Sequence, residues 1–325
     1  MKLGLLLLGA LAALFLAALA LGDQSLPPGQ VLAALLGRED APAPVVAIVT
    51  GLRLPRAVLA MLAGAALAVA GTISQAVLRN PLAEPGLIGV NAGAALAAMV
   101  VIVQVGHPSE TLLPWLTFGG ALAMALLIQA LAWRAGPSTL RLILIGVALS
   151  AMAGAGASFI AAFGEVAAVQ RAMIWLAGSL QDSRWIKSRQ LLAWALVPAV
   201  AVWLAARELD LIALGDDVAR ARGQRTAATQ GGLILACAAI SGAAVAGVGL
   251  IAFVGLAAPH MARALAGRSH RRLIPAAALV GALMTLGADL IARRALAPMQ
   301  LPVGVVTALA GAPVFAVLLW RRRHD

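Results

Sequence analysis

The side chains able to carry acid–base, nucleophilic or metal chemistry are few in this chain: thirteen carboxylates, four histidines and one cysteine. Cys237 lies in the apolar stretch Leu233 to Ile240 with no second thiol to pair with, so it carries no redox or metal signal. His107, His260, His270 and His324 are scattered and match no metal-ligand spacing. His260, which follows Pro259 in Gly255-Leu-Ala-Ala-Pro259-His260-Met-Ala-Arg263, is expected to be structural. Asp289, in Gly287-Ala-Asp289-Leu-Ile-Ala-Arg293-Arg294, is the one acid set deep in an apolar run. A carboxylate there is costly unless paired or hydrated, which leaves a proton-relay acid or a structural hydrogen-bonding group. No second ionisable group lies at comparable depth, so the structural role is the expectation. The sequence also lacks a glycine-rich phosphate loop followed by lysine, a nucleophile elbow and paired catalytic carboxylates. ATP hydrolysis by this chain alone is not expected.

The elements around these residues are dictated by composition. Of 325 residues, 62% are hydrophobic and 11% charged, whereas ordinary soluble domains are about 25% charged. Apolar runs of roughly the 20 residues that cross a hydrocarbon core recur at Leu3 to Leu21, Ala57 to Val77, Gly86 to Val105, Leu112 to Trp133, Leu140 to Phe163, Gln190 to Ala206, Thr226 to Gly247, Leu250 to Ala266, Leu273 to Ile291 and Val303 to Trp320. The expectation is an all-α membrane protein of about ten transmembrane helices, forming a single permease-like domain over residues 1–325. Ala18-Leu-Ala20 resembles a signal-peptidase site. The preceding run, Leu3 to Leu21, is longer than the usual 7–15-residue apolar region of a signal peptide, so the first helix is expected to be retained.

The formal charge is +11 and 22 of the 24 basic residues are arginine. These charges fall between the apolar runs, which argues for topology and headgroup anchoring and against nucleic-acid binding. With the N-terminus cytoplasmic, the inner segments hold Lys2, Arg79, Arg134, Arg141, Arg207, Arg220, Arg222, Arg225, Arg263, Arg268, Arg271, Arg272 and Arg321 to Arg323, fifteen in all, and the outer segments hold nine. Both termini are therefore placed inside, although nine outer cations ask for an explanation. Glycines and alanines such as Gly64, Ala68, Gly71, Gly242 and Gly247 crowd the spans, as close helix packing in lipid requires.

Two surface constellations remain. In the inner loop Arg207 to Arg225, Leu211, Leu214, Val218 and Ala221 recur at helical spacing among charges. Short amphipathic helices at about 208–224, broken near Gly215, are expected there. Their apolar face suits either a passive connector on the headgroups or a groove on a cytoplasmic partner. On the outer side, Arg53-Leu-Pro-Arg56 precedes the second run and Arg293-Arg294 ends the ninth. These are interfacial anchors or a cationic rim for an acidic extracytoplasmic partner.

Four strings together resemble the FecCD family of ABC importer permeases for iron siderophores, haem and vitamin B12. They are Arg53-Leu-Pro-Arg56 with Gly64-Ala-Ala-Leu-Ala-Val-Ala-Gly71; Arg79-Asn-Pro-Leu-Ala-Glu-Pro85-Gly-Leu-Ile-Gly89; Phe253-Val-Gly-Leu-Ala-Ala-Pro259-His260; and Leu301-Pro-Val-Gly304-Val-Val-Thr with Gly311-Ala-Pro313. Their order and placement match from about Leu52 to the C-terminus. The resemblance implies a type II ABC importer permease in the cell inner (plasma) membrane. It also implies a homodimer with a second permease subunit, two ABC ATPase subunits that carry ATP and Mg below, and an extracytoplasmic substrate-binding protein above; this chain itself binds no cofactor. It assigns coupling to the ATPase to Leu211, Leu214, Gly215, Asp216, Asp217, Val218, Arg220 and Gly223. Binding-protein docking falls to Arg53, Arg56, Arg293 and Arg294. A translocation path would be lined by Gly146, Ser150, Gly154, Gly156 and Ser158. The string Trp175-Leu-Ala-Gly178-Ser-Leu looks closer to the siderophore members, so a ferric siderophore is the expected substrate, ahead of haem and B12. The chain departs from the family at Ala252, where many members have glycine, and at Ser269, where an acid often precedes the basic His270-Arg-Arg272 cluster.

Overall fold

The computed structural model describes residues 2–22, 24–38, 41–106, 108–133, 138–297 and 299–321. His107, His324, Arg134, Arg322 and Arg323 of the sequence reading lie outside the described residues. The chain is helical throughout: α1 (Lys2–Ala20), α2 (Pro28–Leu35), α3 (Ala43–Val46), a wide π-helical turn at Ala47–Arg53, α4 (Leu54–Val77), a 3-10 turn at Pro85–Ile88, α5 (Val90–Val105), α6 (Leu112–Ala132), α7 (Thr139–Phe163), α8 (Val166–Leu176), α9 (Trp185–Leu204), α10 (Ala206–Ala213), α11 (Asp216–Ala221), α12 (Thr226–Val248), α13 (Val254–Ala266), α14 (His270–Arg294) and α15 (Val303–Arg321).

Every one of the ten apolar runs is built on a helix, but the helices are unequal. Among the described residues, six stretches are long and apolar enough to cross a membrane: Leu3–Ala20, Ala43–Val77, Leu112–Ala132, Thr139–Phe163, Thr226–Val248 and His270–Arg294. Helices α5 and α8 are apolar but short in that sense, and α9 carries Lys187 and Arg189 in its first turns. Two runs start later than expected. Gly89 is left-handed (φ 75°), so α5 begins at Val90. Gly249 (φ 74°) and Phe253 (φ 66°) break the chain between α12 and α13, so α13 begins at Val254.

Helix α4 is the hub, packed against α9, α12, α13 and α14 and buried along nearly its whole length. Its contacts are backbone against backbone. A Cβ on Gly64 would overlap the Gly281 carbonyl of α14, and one on Gly281 would overlap the Gly64 carbonyl, the close approach by which small residues hold membrane helices together. Two turns further along α4, Gly71 lies against the Gly255 carbonyl of α13. That carbonyl has lost its helical donor because Pro259, four residues on, has no N–H, so it is turned toward α4 without breaking a helical hydrogen bond. Pro275 in α14 likewise strands the Arg271 carbonyl, and the Trp203 indole of α9 donates to it at 3.2 Å.

Two of the strings that carry the family resemblance, those holding Phe253 and Gly304, meet beyond the end of α12. Ser179 N donates to Val248 O at 2.9 Å and Gly304 N to Gly178 O at 3.1 Å. Side chains on Gly178, Gly249 or Gly304 would overlap the carbonyls of Leu250, Trp175 and Ala177 respectively. The Phe253 ring fills the space beside Gly311.

Candidate functional site

Three places on the bundle carry the residues singled out by sequence. At the end where α4 and α15 begin and α14 stops, an open hollow of about 660 Å³ is lined by Arg53, Arg56, Arg293, Gln24, Gln181, Ser183 and Gln300, with apolar Ile48 and Leu52 on its wall. Asp289 lies beneath it, fully buried in α14. Its carboxylate accepts from Arg56 Nε at 2.9 and 3.2 Å, pairs with Arg56 Nη2 at 2.9 Å, and pairs with Arg293 Nε at 3.1 Å one turn along the same helix. Arg56 Nη1 also donates to Gln300 Oε1 at 2.7 Å. A carboxylate in an apolar helix is tolerated when paired in this way, and this is the structural role expected for it.

The same geometry changes the picture of a free cationic rim. Arg53 donates to the carbonyls of Leu19 (2.7 Å), Ala20 (2.9 Å) and Gln24 (2.5 Å), and Arg293 to Ala18 O at 3.3 Å. Both therefore satisfy the orphan carbonyls at the C-terminus of α1, where cations are favoured. Gly22 supplies the room, since a Cβ there would meet the Arg53 guanidinium at 2.6 Å. Arg53, Arg56 and Arg293 are buried floor residues of the hollow, at 7, 9 and 5% exposure, and of the four predicted docking arginines Arg294 alone is exposed.

At the opposite end, α10 and α11 form the corner predicted near 208–224, turning at Gly215 (φ 117°). The corner is fastened on three sides. Asp216, in the first turn of α11, pairs with Arg79 beyond the end of α4 and accepts from Gln230 of α12 at 2.8 Å. Arg79 adopts φ 48°, a left-handed conformation unusual for a residue with a side chain. Gln224 donates back to Glu208 O at 3.1 Å. Asp210 of α10 accepts from the His270 N–H at 2.9 Å and meets His270 Nδ1 at 2.5 Å. Ser269, the N-cap residue of α14, makes no capping bond with its own side chain; the His270 N–H is met across space by Asp210.

The expected apolar stripe of this corner faces outward. Leu214 (68% exposed) and Val218 (43%) are open, with Ala221 and Gly223 also exposed and Leu211 half-buried, while Leu209, Ile212 and Ala219 form the buried side. Asp217 and Arg220 pair at 2.9 Å on the same open surface.

Between the two ends, α7 buries only Leu142, Gly146 and Ala153, and one face, Leu144, Val147, Ala151, Gly154 and Ser158, is open. Of the predicted path residues, Gly154 has open space around it and Ser158 is exposed, while Ser150 and Gly156 are half-buried. Gly146 is buried, and a Cβ there would meet Leu87 O of the 3-10 turn at 2.6 Å.

Sequence reasoning missed Asp210, Gln230 and Gln300. The signal for Asp210 was the bare N-terminus of α14 at Ser269; none marked the two glutamines. No group of three or more metal-binding side chains occurs among the described residues.

Comparison with known proteins agrees with this architecture. A solved structure described as an inward-facing conformation of a metal-chelate type ABC transporter superposes with a TM-score of 0.89 at 29% identity, covering 98% of this chain and 99% of that one. The chain is 39% identical to the hemin transport system permease protein of Yersinia pestis over 84% of its own length and 83% of that protein's. It is 40% identical to the Fe(3+) dicitrate transport system permease protein of Escherichia coli over 83% and 84% respectively. It is 39% identical to the achromobactin transport system permease protein of Dickeya dadantii over 96% and 89%. Residues 10–321 match the FecCD transport family, and the chain belongs to that family.

Proposed function

We propose that this chain is the membrane-spanning permease subunit of an ABC importer, moving a ferric siderophore inward across the cell membrane on ATP hydrolysed by separate ATPase subunits. The observation that carries the reading is the α10–α11 corner: an exposed apolar pair, Leu214 and Val218, on a rigid mount tied to α4, α12 and α14. A passive headgroup connector needs no such fastening, whereas a partner that pushes on the bundle does. The permease is a gate and a lever and performs no covalent step. Asp289, clamped between two guanidiniums, is unsuited to shuttle protons, which argues against an ion-coupled carrier.

In the full assembly two copies face each other across the open side of α7, with Gly154 and Ser158 on the path. Each ATPase subunit takes a corner built from Leu211 to Gly223, and a binding protein covers the hollow, with Arg294 on its rim and Arg56 and Arg293 in its floor. Both termini are cytoplasmic and all ten apolar runs cross, those of α5 and α13 completed by the 3-10 turn and the segment 249–253 that precede them. The siderophore assignment rests on the Trp175-Leu-Ala-Gly178-Ser-Leu string and on relatives named for achromobactin and enterobactin transport. Identity alone does not separate the substrates, since a vitamin B12 import permease of Vibrio cholerae is 40% identical. The test is uptake into proteoliposomes containing the permease, its ATPase and its binding protein, with radiolabelled ferric siderophore, haemin and B12 offered in parallel. ATP-dependent accumulation of the siderophore alone is expected; uptake driven by a proton gradient without nucleotide would reject the assignment.

A further inference from the structure

Helix α14 is gripped at both ends by carboxylates, and the two grips lie at opposite ends of the molecule. At its first residue, Asp210 of α10 accepts the His270 N–H at 2.9 Å and contacts Nδ1 at 2.5 Å, and one residue on Trp203 of α9 donates to Arg271 O. At its last turns, Asp289 binds Arg56 of α4 at 2.9 Å and Arg293 at 3.1 Å. Between them Gly281 lies backbone to backbone against Gly64 of α4. Helix α4 in turn reaches the same corner through Arg79 and Asp216. The 25 residues of α14 span about 37 Å at 1.5 Å per residue, so a single unbroken element joins the floor of the arginine-lined hollow to the α10–α11 corner.

Packed helices do not deform continuously; they shift as bodies between discrete arrangements. A helix pinned by polar groups at both ends, and in backbone contact with α4 where Gly281 meets Gly64, passes a displacement of one end to the other. Ser269 makes no capping bond with its own side chain, and the His270 N–H at the start of α14 is taken up by Asp210 of the corner.

We propose that α14 is the strut through which events in the outer hollow are felt at the ATPase-facing corner, with Asp210 and Asp289 as the positioning residues that fasten its two ends. This rests on the importer assignment above and deepens it. Neither residue is asked to touch substrate or nucleotide. Asp210 points from the corner toward α14 while the exposed surface is Leu214, Asp217, Val218 and Arg220, so loosening Asp210 leaves the partner-facing surface in place.

The test uses the assembled transporter in proteoliposomes, with its ATPase subunits and purified binding protein. ATP hydrolysis is measured with and without saturating binding protein, alongside the affinity of the binding protein for the permease. Asp210→Asn is expected to dock the binding protein as the wild type does, yet to lose at least about fivefold in the ratio of stimulated to basal hydrolysis, the lower end of ordinary coupling between sites. Asp210→Glu should recover most of that ratio, which a merely structural loss would not do. Asp289→Asn, at the far end, should show the same loss at saturating binding protein and decides the matter if Asp210→Asn fails to assemble. A wild-type ratio in Asp210→Asn and Asp289→Asn would overturn the strut and leave the importer assignment standing. Failure of the wild-type chain to associate with any ATPase subunit would overturn the assignment and the strut together.

Discussion

Replacing Asp289 by asparagine keeps the size of the side chain and removes only its charge, which isolates the buried ion cluster. The carboxylate is fully buried and the side chains of its two partners are 11% and 6% exposed. At an effective dielectric of about 20, unit charges about 4 Å apart attract by about 4 kcal/mol. Desolvation offsets much of that gain, and removing one member of a buried pair typically costs about 3–5 kcal/mol, because the partner is left uncompensated. Two guanidiniums are stranded here, but the asparagine carbonyl still accepts from one, which points to about 3 kcal/mol. At about 2–4 °C per kcal/mol for a chain of this order, the melting midpoint should fall by about 6–12 °C. Cys237 provides the assay: it is the chain's one cysteine and is completely buried, so a thiol-reactive fluorophore lights up only when α12 opens. The double variant Arg56→Gln with Asp289→Asn restores the net charge of the cluster and should be less destabilised than the two single changes summed. A midpoint for Asp289→Asn within about 2 °C of wild type would refute the reasoning.

Four further outcomes are expected. Leu214→Asp with Val218→Asp should weaken ATPase-subunit association by about 30-fold in a pull-down or titration, the loss of a hot spot worth about 2 kcal/mol, with the permease itself still folded. Gly281→Leu should destabilise by about 1–3 kcal/mol through overpacking against Gly64 and Ala68, while Gly154→Ala, set in open space, should leave the thiol-dye midpoint unchanged. Burial raises the Glu84 carboxyl above its usual value of 4.5, so the fold holds that proton more tightly than the unfolded chain does. Its stabilising contribution is complete below about pH 4.5 and is lost as pH rises through the raised value; Glu84→Gln should therefore raise the melting midpoint at neutral pH and leave it unchanged in acid. Arg294→Glu should weaken binding-protein docking mainly at low ionic strength, since this arginine is exposed and screened by salt; equal docking at all salt concentrations would remove it from the contact.

What could be read ahead of the structure followed from local rules. Lipid leaves the backbone little choice but helix, so each apolar run gave one, and the break at Gly215 was legible because only glycine takes φ 117° without strain. Direction was harder. Leu211, Leu214, Val218 and Ala221 have the right spacing for an apolar stripe, yet the buried side is Leu209, Ile212 and Ala219. The decisive fact, that the corner hangs on Arg79, Gln230 and His270, concerns residues far along the chain. Arg56 and Asp289 are 233 positions apart, and nothing local to either identifies the other. The arginines read as a rim because they flank apolar runs; that two of them would serve as caps for α1 depended on where its last turn came to lie.

The meeting of Gly178, Gly249 and Gly304 bears on how the chain is assembled. Gly178 precedes Gly304 by a long stretch of chain, and its carbonyl is matched only when Gly304 N–H donates to it at 3.1 Å. Helix α15 thus locks the junction where α8 and α12 end and α13 begins, so a chain cut before Val303 should leave that junction unclosed and be digested faster by an added protease than the intact chain.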